Sequence, residues 1–134
     1  MKKLILSAIL GATLLSCSVH KNEKTMTDWK HNTNIYEVNV RQYTQEGTFK
    51  AFQKELPRLQ KMGVKTLWFM PITPIAQKNK KGSLGSPYAA YDYTTINPEF
   101  GTLDDFKNLV NEAHELGFKV IIDWVANHTG WDHV

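Results

Sequence analysis

The sequence predicts an α/β fold in which helices connect successive parallel strands. Two helix-like segments end in similar junctions, Met62–Lys65 and Leu116–Lys119, each with a glycine followed two residues later by a lysine. Both junctions lead into apolar runs of strand length, which are typical of strands buried on both faces of a parallel sheet. An open doubly wound sheet and a closed eight-stranded barrel both fit this pattern, and strand spacing does not choose between them.

The first strand and helix are predicted between residues 35 and 63. Residues Ile35–Arg41 alternate apolar and polar side chains, which indicates a strand. Residues Thr48–Met62 carry one apolar stripe at helical spacing, and Gly63 is suited to end that helix. Pro57 falls inside the stripe, and we expect it to kink or divide the helix because it removes one backbone hydrogen bond.

Two further strands and one helix are predicted in the second half of the chain. Residues Val64–Pro71 form the second apolar run, and the third is Lys119 to about Val125. Between them, residues Ile72–Gly101 form a connection longer than is usual in α/β units, and such length is more often functional than idle. Residues Thr102–Asp105 resemble a capping box with Asp in place of Glu, and they begin an amphipathic helix that ends before Gly117.

The third apolar run breaks abruptly into polar side chains. A carboxylate, an amide and an imidazole lie within six positions, at Asp123, Asn127 and His128. In parallel α/β folds, pockets form at the carboxyl ends of the strands. The sequence therefore predicts a site at this end of the sheet.

The composition is that of one globular domain. The 134 residues are 42% hydrophobic and 22% charged, with a net charge of +3. Three lysines, Lys78, Lys80 and Lys81, lie among Asn, Gly and Ser, which is typical of an exposed loop. We expect no nucleic-acid partner, because the net charge is modest and part of it comes from the N-terminal lysines and this loop.

Residues 1–17 resemble the signal peptide of a bacterial lipoprotein. Two lysines precede an apolar stretch from Leu4 to Leu15, which is too short to span a bilayer. The stretch ends in Leu14-Leu15-Ser16-Cys17, which is similar to a lipobox, and this similarity implies that Cys17 becomes a lipid-bearing N-terminus. The alternative is an ordinary secretory signal that contains a cysteine by chance.

The polar residues 18–31 predict a tether between a membrane and the domain. With a lipid on Cys17, the protein would be anchored in the bacterial cell envelope, in the periplasm or at the cell surface. Cys17 is the only cysteine, so no intrachain disulfide can form. The oligomeric state and the leaflet stay open.

Four segments, in order, resemble the catalytic barrel of glycoside hydrolase family 13, the α-amylase family. They are Gly63–Pro71, Ser86–Tyr93, Ile96–Thr102 and Asp123–His128. The resemblance covers nearly all of residues 32–134 and implies a (β/α)8 TIM barrel, of which about the first three β/α units are present. It also implies action on α-glucans, such as starch and malto-oligosaccharides, by a retaining mechanism with two carboxylates.

The resemblance assigns two residues to substrate binding. Tyr88 matches an aromatic residue that stacks on the sugar in the cleavage subsite, and His128 matches an imidazole that hydrogen-bonds a hydroxyl of the same sugar. Tyr88 could instead only anchor its loop. A zinc site formed by His114, His128 and His133 is a weak alternative, because these positions lack a recognised ligand spacing.

The remaining predicted site residues support the site. The resemblance implies that Asp123 organises hydrogen bonds without attacking the sugar or donating a proton. Asp92 and Arg41 are expected near the same face as supporting residues. Asn127 matches an amide that binds calcium in some members through its oxygen, so calcium is a possible cofactor. Residues Asn127–Thr129 also match a glycosylation sequon, which we interpret as a chance match.

No catalytic residue is expected in this chain. In the family the nucleophile follows the fourth strand and the acid/base follows the fifth, so both would lie beyond Val134. We therefore expect an N-terminal fragment of a longer enzyme that is inactive and poorly soluble alone. The alternatives are a transglycosylase, branching enzyme or oligo-α-glucosidase of the same family, or a non-catalytic glucan-binding relative.

Overall fold

The structure, a computed structural model, describes residues 28–134. The chain divides into two units, residues 1–31 and 32–134, and the first contributes a short 3-10 helix at Asp28–His31. The predicted signal peptide with Cys17, and most of the predicted tether, lie outside the described residues. Within residues 28–134, no helix has the length and apolar character needed to cross a membrane.

The second unit is built on a parallel sheet. Its strands are β1 (Ile35–Val38), β2 (Thr66–Phe69) and β3 (Lys119–Ile122), in that spatial order. Tyr36 lies opposite Leu67, and Leu67 lies opposite Val120, with both pairings parallel. The predicted α/β fold with consecutive parallel strands is therefore confirmed.

The strands end earlier than the sequence predicted. The first strand was expected to reach Arg41, but β1 ends at Val38 and a short helix begins at Val40, which places Arg41 on that helix. Beyond β2 and β3, pairing continues for one residue each: Met70 N–H donates to Val38, and Asp123 N–H donates to Phe69. The chain then leaves the sheet, so the apolar runs are longer than the strands.

In residues 32–134, four α-helices accompany the sheet. They are α1 (Val40–Tyr43), α2 (Phe49–Gln53), α3 (Leu56–Lys61) and α4 (Leu103–Glu115). The predicted single helix over residues 48–62 is divided into α2 and α3, and Pro57 occupies the first turn of α3. Proline is tolerated there because the first turn of a helix has no internal partner for its N–H.

The two repeated junctions adopt one conformation. Gly63 and Gly117 have φ angles of +85° and +88°, which a residue with a Cβ rarely adopts. After Gly63, Val64 N–H donates to the Leu59 carbonyl at 3.1 Å, and after Gly117 the next residue makes the equivalent bond at 2.9 Å. Both helices therefore end in Schellman motifs that turn the chain into the next strand.

Helix α4 begins with the predicted capping box. The hydroxyl oxygen of Thr102 accepts from Asp105 N–H at 3.1 Å, and the Asp105 carboxylate accepts from Thr102 N–H at 3.0 Å. The hydrogen bond from Thr102 N–H holds the pKa of Asp105 below its usual value, with a smaller contribution from Lys50. Asp105 therefore completes the capping box at the position that Glu usually occupies, although its side chain is shorter.

The core lies between the helices and the sheet and is rich in phenylalanine. Phe52 of α2 meets Phe69 of β2 at 5.4 Å between ring centroids, and Phe49 meets Phe106 of α4 at 5.0 Å. Full burial of each such ring stabilises the fold by roughly 1.5–3 kcal/mol. In contrast, β3 is largely open, with Ile121 39% and Ile122 44% exposed.

Candidate functional site at the carboxyl ends of the strands

The long connection between β2 and α4, which we call the β2–α4 loop (residues 72–101), is an ordered structure. Two backbone hydrogen bonds of 2.8 Å close it: Ala76 N–H donates to Ala89, and Tyr91 N–H donates to Pro74. The arms of the loop therefore pair like two very short antiparallel strands. The loop starts at the carboxyl end of β2, the edge of the sheet where the sequence predicted the site.

The residues after β3, which we call the post-β3 segment (residues 123–134), return to this loop. Gly130 N–H donates to Ala90 at 2.9 Å, and Val134 N–H donates to Tyr91 at 3.1 Å. A Cβ added at Gly130 would lie 1.9 Å from the Cβ of Ala76. Only glycine therefore allows the segment to approach the loop so closely.

Asp132 fastens the end of the post-β3 segment to the loop. Its Oδ2 accepts hydrogen bonds from the backbone N–H groups of Gln77 and Lys78, each at 3.2 Å. Burial alone would raise the pKa of Asp132, but the two N–H groups hold it below its usual value. Its Oδ1 is buried and has no hydrogen-bond partner within residues 28–134.

Tyr88 and Asp123 are in direct contact. The Tyr88 hydroxyl donates to Oδ2 of Asp123 at 3.1 Å, although the residues are 35 positions apart. Burial raises the pKa of Tyr88, and the hydrogen bond to the Asp123 carboxylate raises it further. Because Asp123 N–H is bonded to the end of β2, this contact ties the Tyr88 ring to the sheet.

His128 lies exposed on the post-β3 segment. Its Nδ1 is 3.2 Å from the Asn127 amide nitrogen. An amide N–H that donates to Nδ1 leaves Nε2 as the protonated nitrogen, which can meet a hydroxyl group. Within residues 28–134, Tyr88 and His128 form no hydrogen bond or aromatic pair with each other.

Tyr93 is a residue of this region that sequence reasoning did not single out. Its hydroxyl donates to the carbonyl of Val125 and lies 3.1 Å from the carbonyl of His128. Its ring meets Trp124 and His133 edge-on, with centroids at 6.2 and 5.1 Å. The only sequence signal was its place at the end of the Ser86–Tyr93 motif.

Asp92 and Arg41 shape the β2–α4 loop rather than contact Asp123 or His128. The Asp92 carboxylate accepts from the N–H and hydroxyl of Thr94, both at 2.7 Å, and from the Thr95 hydroxyl at 3.0 Å. The bonds from Thr94 hold the pKa of Asp92 below its usual value. Arg41 forms an ion pair with Glu99 at 2.7 Å, which links α1 to the loop.

The described residues do not assemble a metal site by themselves. Within residues 28–134, no group of three or more His, Cys, Asp or Glu side chains could hold an ion. The three histidines of the zinc alternative, His114, His128 and His133, are therefore not such a group. Asn127 offers one amide oxygen, whereas calcium takes six to eight oxygen ligands. The residues present do not fit calcium without further ligands.

A cavity of about 540 Å³ lies beside the predicted site, between the β2–α4 loop, the start of α4 and the end of β3. Asp123 and Trp124 line it, together with apolar side chains such as Phe106 and with Tyr93 and four threonines. Tyr88 and His128 are not part of its wall.

A parallel sheet with an elaborate loop cluster at its carboxyl ends is the arrangement of barrel enzymes of the (β/α)8 class. The family profile described as "Alpha amylase, catalytic domain" matches residues 18–134. The chain belongs to the alpha-amylase family, and its fold is part of the (β/α)8 barrel, as predicted. The match includes the residues 18–31 that were predicted to form a tether.

Individual relatives agree with this assignment. An alpha-amylase structure from Lactobacillus plantarum is 52% identical, with a TM-score of 0.76 over 77% of this chain and 24% of that one. The alpha-amylase SusG of Bacteroides thetaiotaomicron is 40% identical over 87 residues, 65% of this chain and 12% of that protein. A trehalose synthase of Thermus thermophilus is 38% identical over 112 residues, 78% of this chain and 11% of that protein.

This chain thus spans between 11% and 24% of the length of these relatives. Family membership and fold follow from the similarity. The reaction, the substrate and the roles of individual residues do not follow from it, because proteins with different names share this segment.

Proposed function

We propose that this chain forms the N-terminal part of the catalytic barrel of an α-amylase-type glycoside hydrolase, and that it contributes sugar-binding residues. The enzyme acts on starch and malto-oligosaccharides. The hydrogen bond between Tyr88 and Asp123 is the observation that supports this proposal most directly. It joins two of the four motifs that resemble the α-amylase family, at the end of the sheet where barrel enzymes bind substrate.

Tyr88 provides a platform for the sugar ring. One face of a glucosyl unit consists of C–H groups, and the aromatic face covers them while the hydroxyls stay free. The Tyr88 hydroxyl is already occupied by Asp123, so the ring is held in one orientation before substrate arrives. Asp123 therefore acts through Tyr88 and does not react with the sugar.

His128 holds the same glucosyl unit from the side. Its protonated nitrogen donates to a sugar hydroxyl, which fixes the rotation of the unit on the Tyr88 platform. Correct placement of the anomeric carbon relative to the nucleophile can account for a large part of an enzyme's rate. These roles of Tyr88 and His128 are predictions that rest on the family resemblance.

The bond-breaking groups are, in this proposal, supplied from outside residues 1–134. A retaining glycosidase needs a carboxylate nucleophile and a carboxylic acid that protonates the leaving oxygen. The resemblance matches neither group to a position in this chain. The purified 134-residue chain should therefore release no reducing ends from soluble starch, and sustained release above a heat-inactivated sample would contradict this.

The full-length enzyme should cleave α-glucans with retention. Maltopentaose would be incubated with it, and the products followed by proton NMR from the first minutes. We expect shorter malto-oligosaccharides that appear first as α-anomers, whereas cellopentaose, the β-linked control, stays intact. First-formed β-anomers, or no cleavage of either sugar, would contradict the proposal.

The runner-up is a transglycosylase, branching enzyme or oligo-α-glucosidase of the same family. One of the similar proteins is named a trehalose synthase, so this segment also occurs beside other activities. The maltopentaose digest separates these cases, because transfer gives products longer than the substrate and exo-cleavage gives mainly glucose. A purely glucan-binding relative is less favoured, since it has no need of both Tyr88 and His128.

We propose further that Cys17 carries a lipid and anchors the enzyme in the bacterial cell envelope. The proposal rests on the lipobox-like Leu14–Cys17 sequence after a short apolar stretch. Calcium at Asn127 stays a prediction, and nothing in the proposed roles of Tyr88 and His128 depends on it.

A further inference from the structure

The middle of the post-β3 segment, residues 124–129, carries His128 and is bound less extensively than the two ends of the segment. Residues 124–129 form no strand or helix, and His128 itself is exposed. Among the hydrogen bonds of residues 28–134, only those of the Tyr93 hydroxyl join residues 124–129 to another part of the chain. Without them, the turn that carries His128 would be joined to the rest of the protein by hydrogen bonds only at its flanking residues, Asp123 and Gly130.

The Tyr93 hydroxyl contacts two backbone carbonyls of this turn. Its hydroxyl reaches the carbonyl of Val125, three residues before His128, and the carbonyl of His128 itself at 3.1 Å. Because one O–H carries a single hydrogen, the two contacts share one donor, and together they hold the turn against the Tyr93 side chain. The edge-on contacts with Trp124 and His133 keep the ring in place.

We propose that Tyr93 is a positioning residue for His128. By binding the backbone carbonyls of Val125 and His128, the Tyr93 hydroxyl directs the imidazole to the sugar hydroxyl that His128 binds. The inference rests on the proposed function and deepens it, since it concerns the same sugar site. Tyr93 itself does not contact the sugar in this proposal.

The test is a double-mutant cycle in the full-length enzyme, with kcat and KM measured on maltopentaose. Tyr93→Phe keeps the ring and removes only the hydroxyl. Because one neutral hydrogen bond is at stake, we expect kcat/KM to fall roughly 2- to 10-fold. If Tyr93 acts through His128, the same substitution should have no effect in a His128→Ala background.

Tyr91→Phe is the matched control. Tyr91 lies two positions away in the same loop, and its hydroxyl makes no hydrogen bond within residues 28–134. The control should leave kcat/KM unchanged in both backgrounds. Hydrogen–deuterium exchange adds a readout that does not depend on activity: the hydrogen-bonded amides of Asp123 and Gly130, which flank the turn, should exchange faster in Tyr93→Phe and not in Tyr91→Phe.

Each outcome has a distinct meaning. An equal loss from Tyr93→Phe in both backgrounds would overturn the inference, because Tyr93 would then act elsewhere. A Tyr93→Phe enzyme with unchanged kcat/KM, or one that unfolds as a whole, would overturn it as well. If His128→Ala alone leaves kcat/KM unchanged, the assignment of His128 to substrate fails, and the inference fails with it. If maltopentaose is not cleaved by the wild-type enzyme, the proposed function itself is wrong.

Discussion

Tyr88 donates its phenolic hydrogen to Oδ2 of Asp123 across 3.1 Å. Asp123 in turn donates its N–H to the carbonyl of Phe69, the last residue of β2, at 2.8 Å. Two bonds therefore connect an aromatic ring in the β2–α4 loop to the carboxyl edge of the sheet. The ring of a loop residue is therefore tied to the end of a strand.

This connection predicts different effects for two substitutions of Tyr88 in the full-length enzyme. Tyr88→Ala removes the platform, and kcat/KM on maltopentaose should fall roughly 10-fold or more, because the stacked face and its buried area are both lost. Tyr88→Phe keeps the face and loses the bond to Asp123, so the fall should be smaller. Equal activity of the wild type and Tyr88→Ala would mean that Tyr88 only anchors its loop.

Asp132 predicts a pH dependence of stability. Its pKa in the folded protein lies below the ordinary value of 3.8, so it stabilises the fold above that pH and ceases to do so as the pH falls through the folded pKa. In the full-length enzyme, Asp132→Asn should therefore lower the melting temperature at pH 7. The difference from the wild type should vanish in strong acid.

Glu115→Gln is the control for Asp132→Asn. It makes the same chemical change at an exposed position of α4 that has no hydrogen-bond or ion-pair partner within residues 28–134. Its melting temperature should follow that of the wild type at every pH. A constant deficit of Asp132→Asn from pH 7 to strong acid would show that packing, and not the carboxylate charge, fastens the segment.

Gly130 predicts a clash that a second substitution relieves. In Gly130→Ala the new Cβ would lie 1.9 Å from the Cβ of Ala76, so the post-β3 segment must move. Overpacking of this kind lowers the free energy of unfolding by roughly 1–3 kcal/mol, which thermal unfolding of the full-length enzyme would detect. Gly130→Ala combined with Ala76→Gly should recover part of the loss. No recovery would show that the carbonyls of Ala89 and Ala90, each 3.3 Å from the new Cβ, dominate the strain.

The sequence predicted the elements that are determined by local chemistry. The glycine junctions at Gly63 and Gly117 need only a left-handed residue after a helix, and the Thr102–Asp105 capping box needs only two side chains three residues apart. Both features can be recognised from about four consecutive residues of the sequence. Pro57 likewise indicated the division between α2 and α3, although it did not give the residues at which each helix ends.

The contacts that assemble the site were not predictable in the same way. Tyr93 meets His128, and Asp132 meets Gln77, across 35 and 55 positions, and no local pattern encodes such pairings. They depend on how the post-β3 segment folds back over the β2–α4 loop. The family resemblance pointed to Tyr88, Asp123 and His128, whereas the residues that hold them in place emerged only from the three-dimensional arrangement.

Cys17 predicts where the protein resides. If it carries a lipid, the wild type should be recovered in the membrane fraction and should incorporate radiolabelled palmitate when produced in a Gram-negative bacterium. Cys17→Ser should lose the label because serine cannot form the thioether to the lipid. Ser16→Ala, next to it, tests whether the cysteine itself is needed and should keep the label. A wild type without label would favour the ordinary secretory signal.

The open edge of β3 predicts that the 134-residue chain self-associates. Within residues 28–134 this strand pairs only with β2, and its Ile121 is 39% exposed, so unpaired backbone groups and apolar side chains meet solvent together. Such an edge is a template for pairing between chains. Size-exclusion chromatography of the isolated chain should show oligomers or aggregates, and Ile121→Lys should reduce them because a charge on an edge strand opposes pairing. Leu84→Lys adds the same charge at an exposed loop leucine and should have little effect, whereas a monomer with a sharp cooperative melt would contradict the prediction.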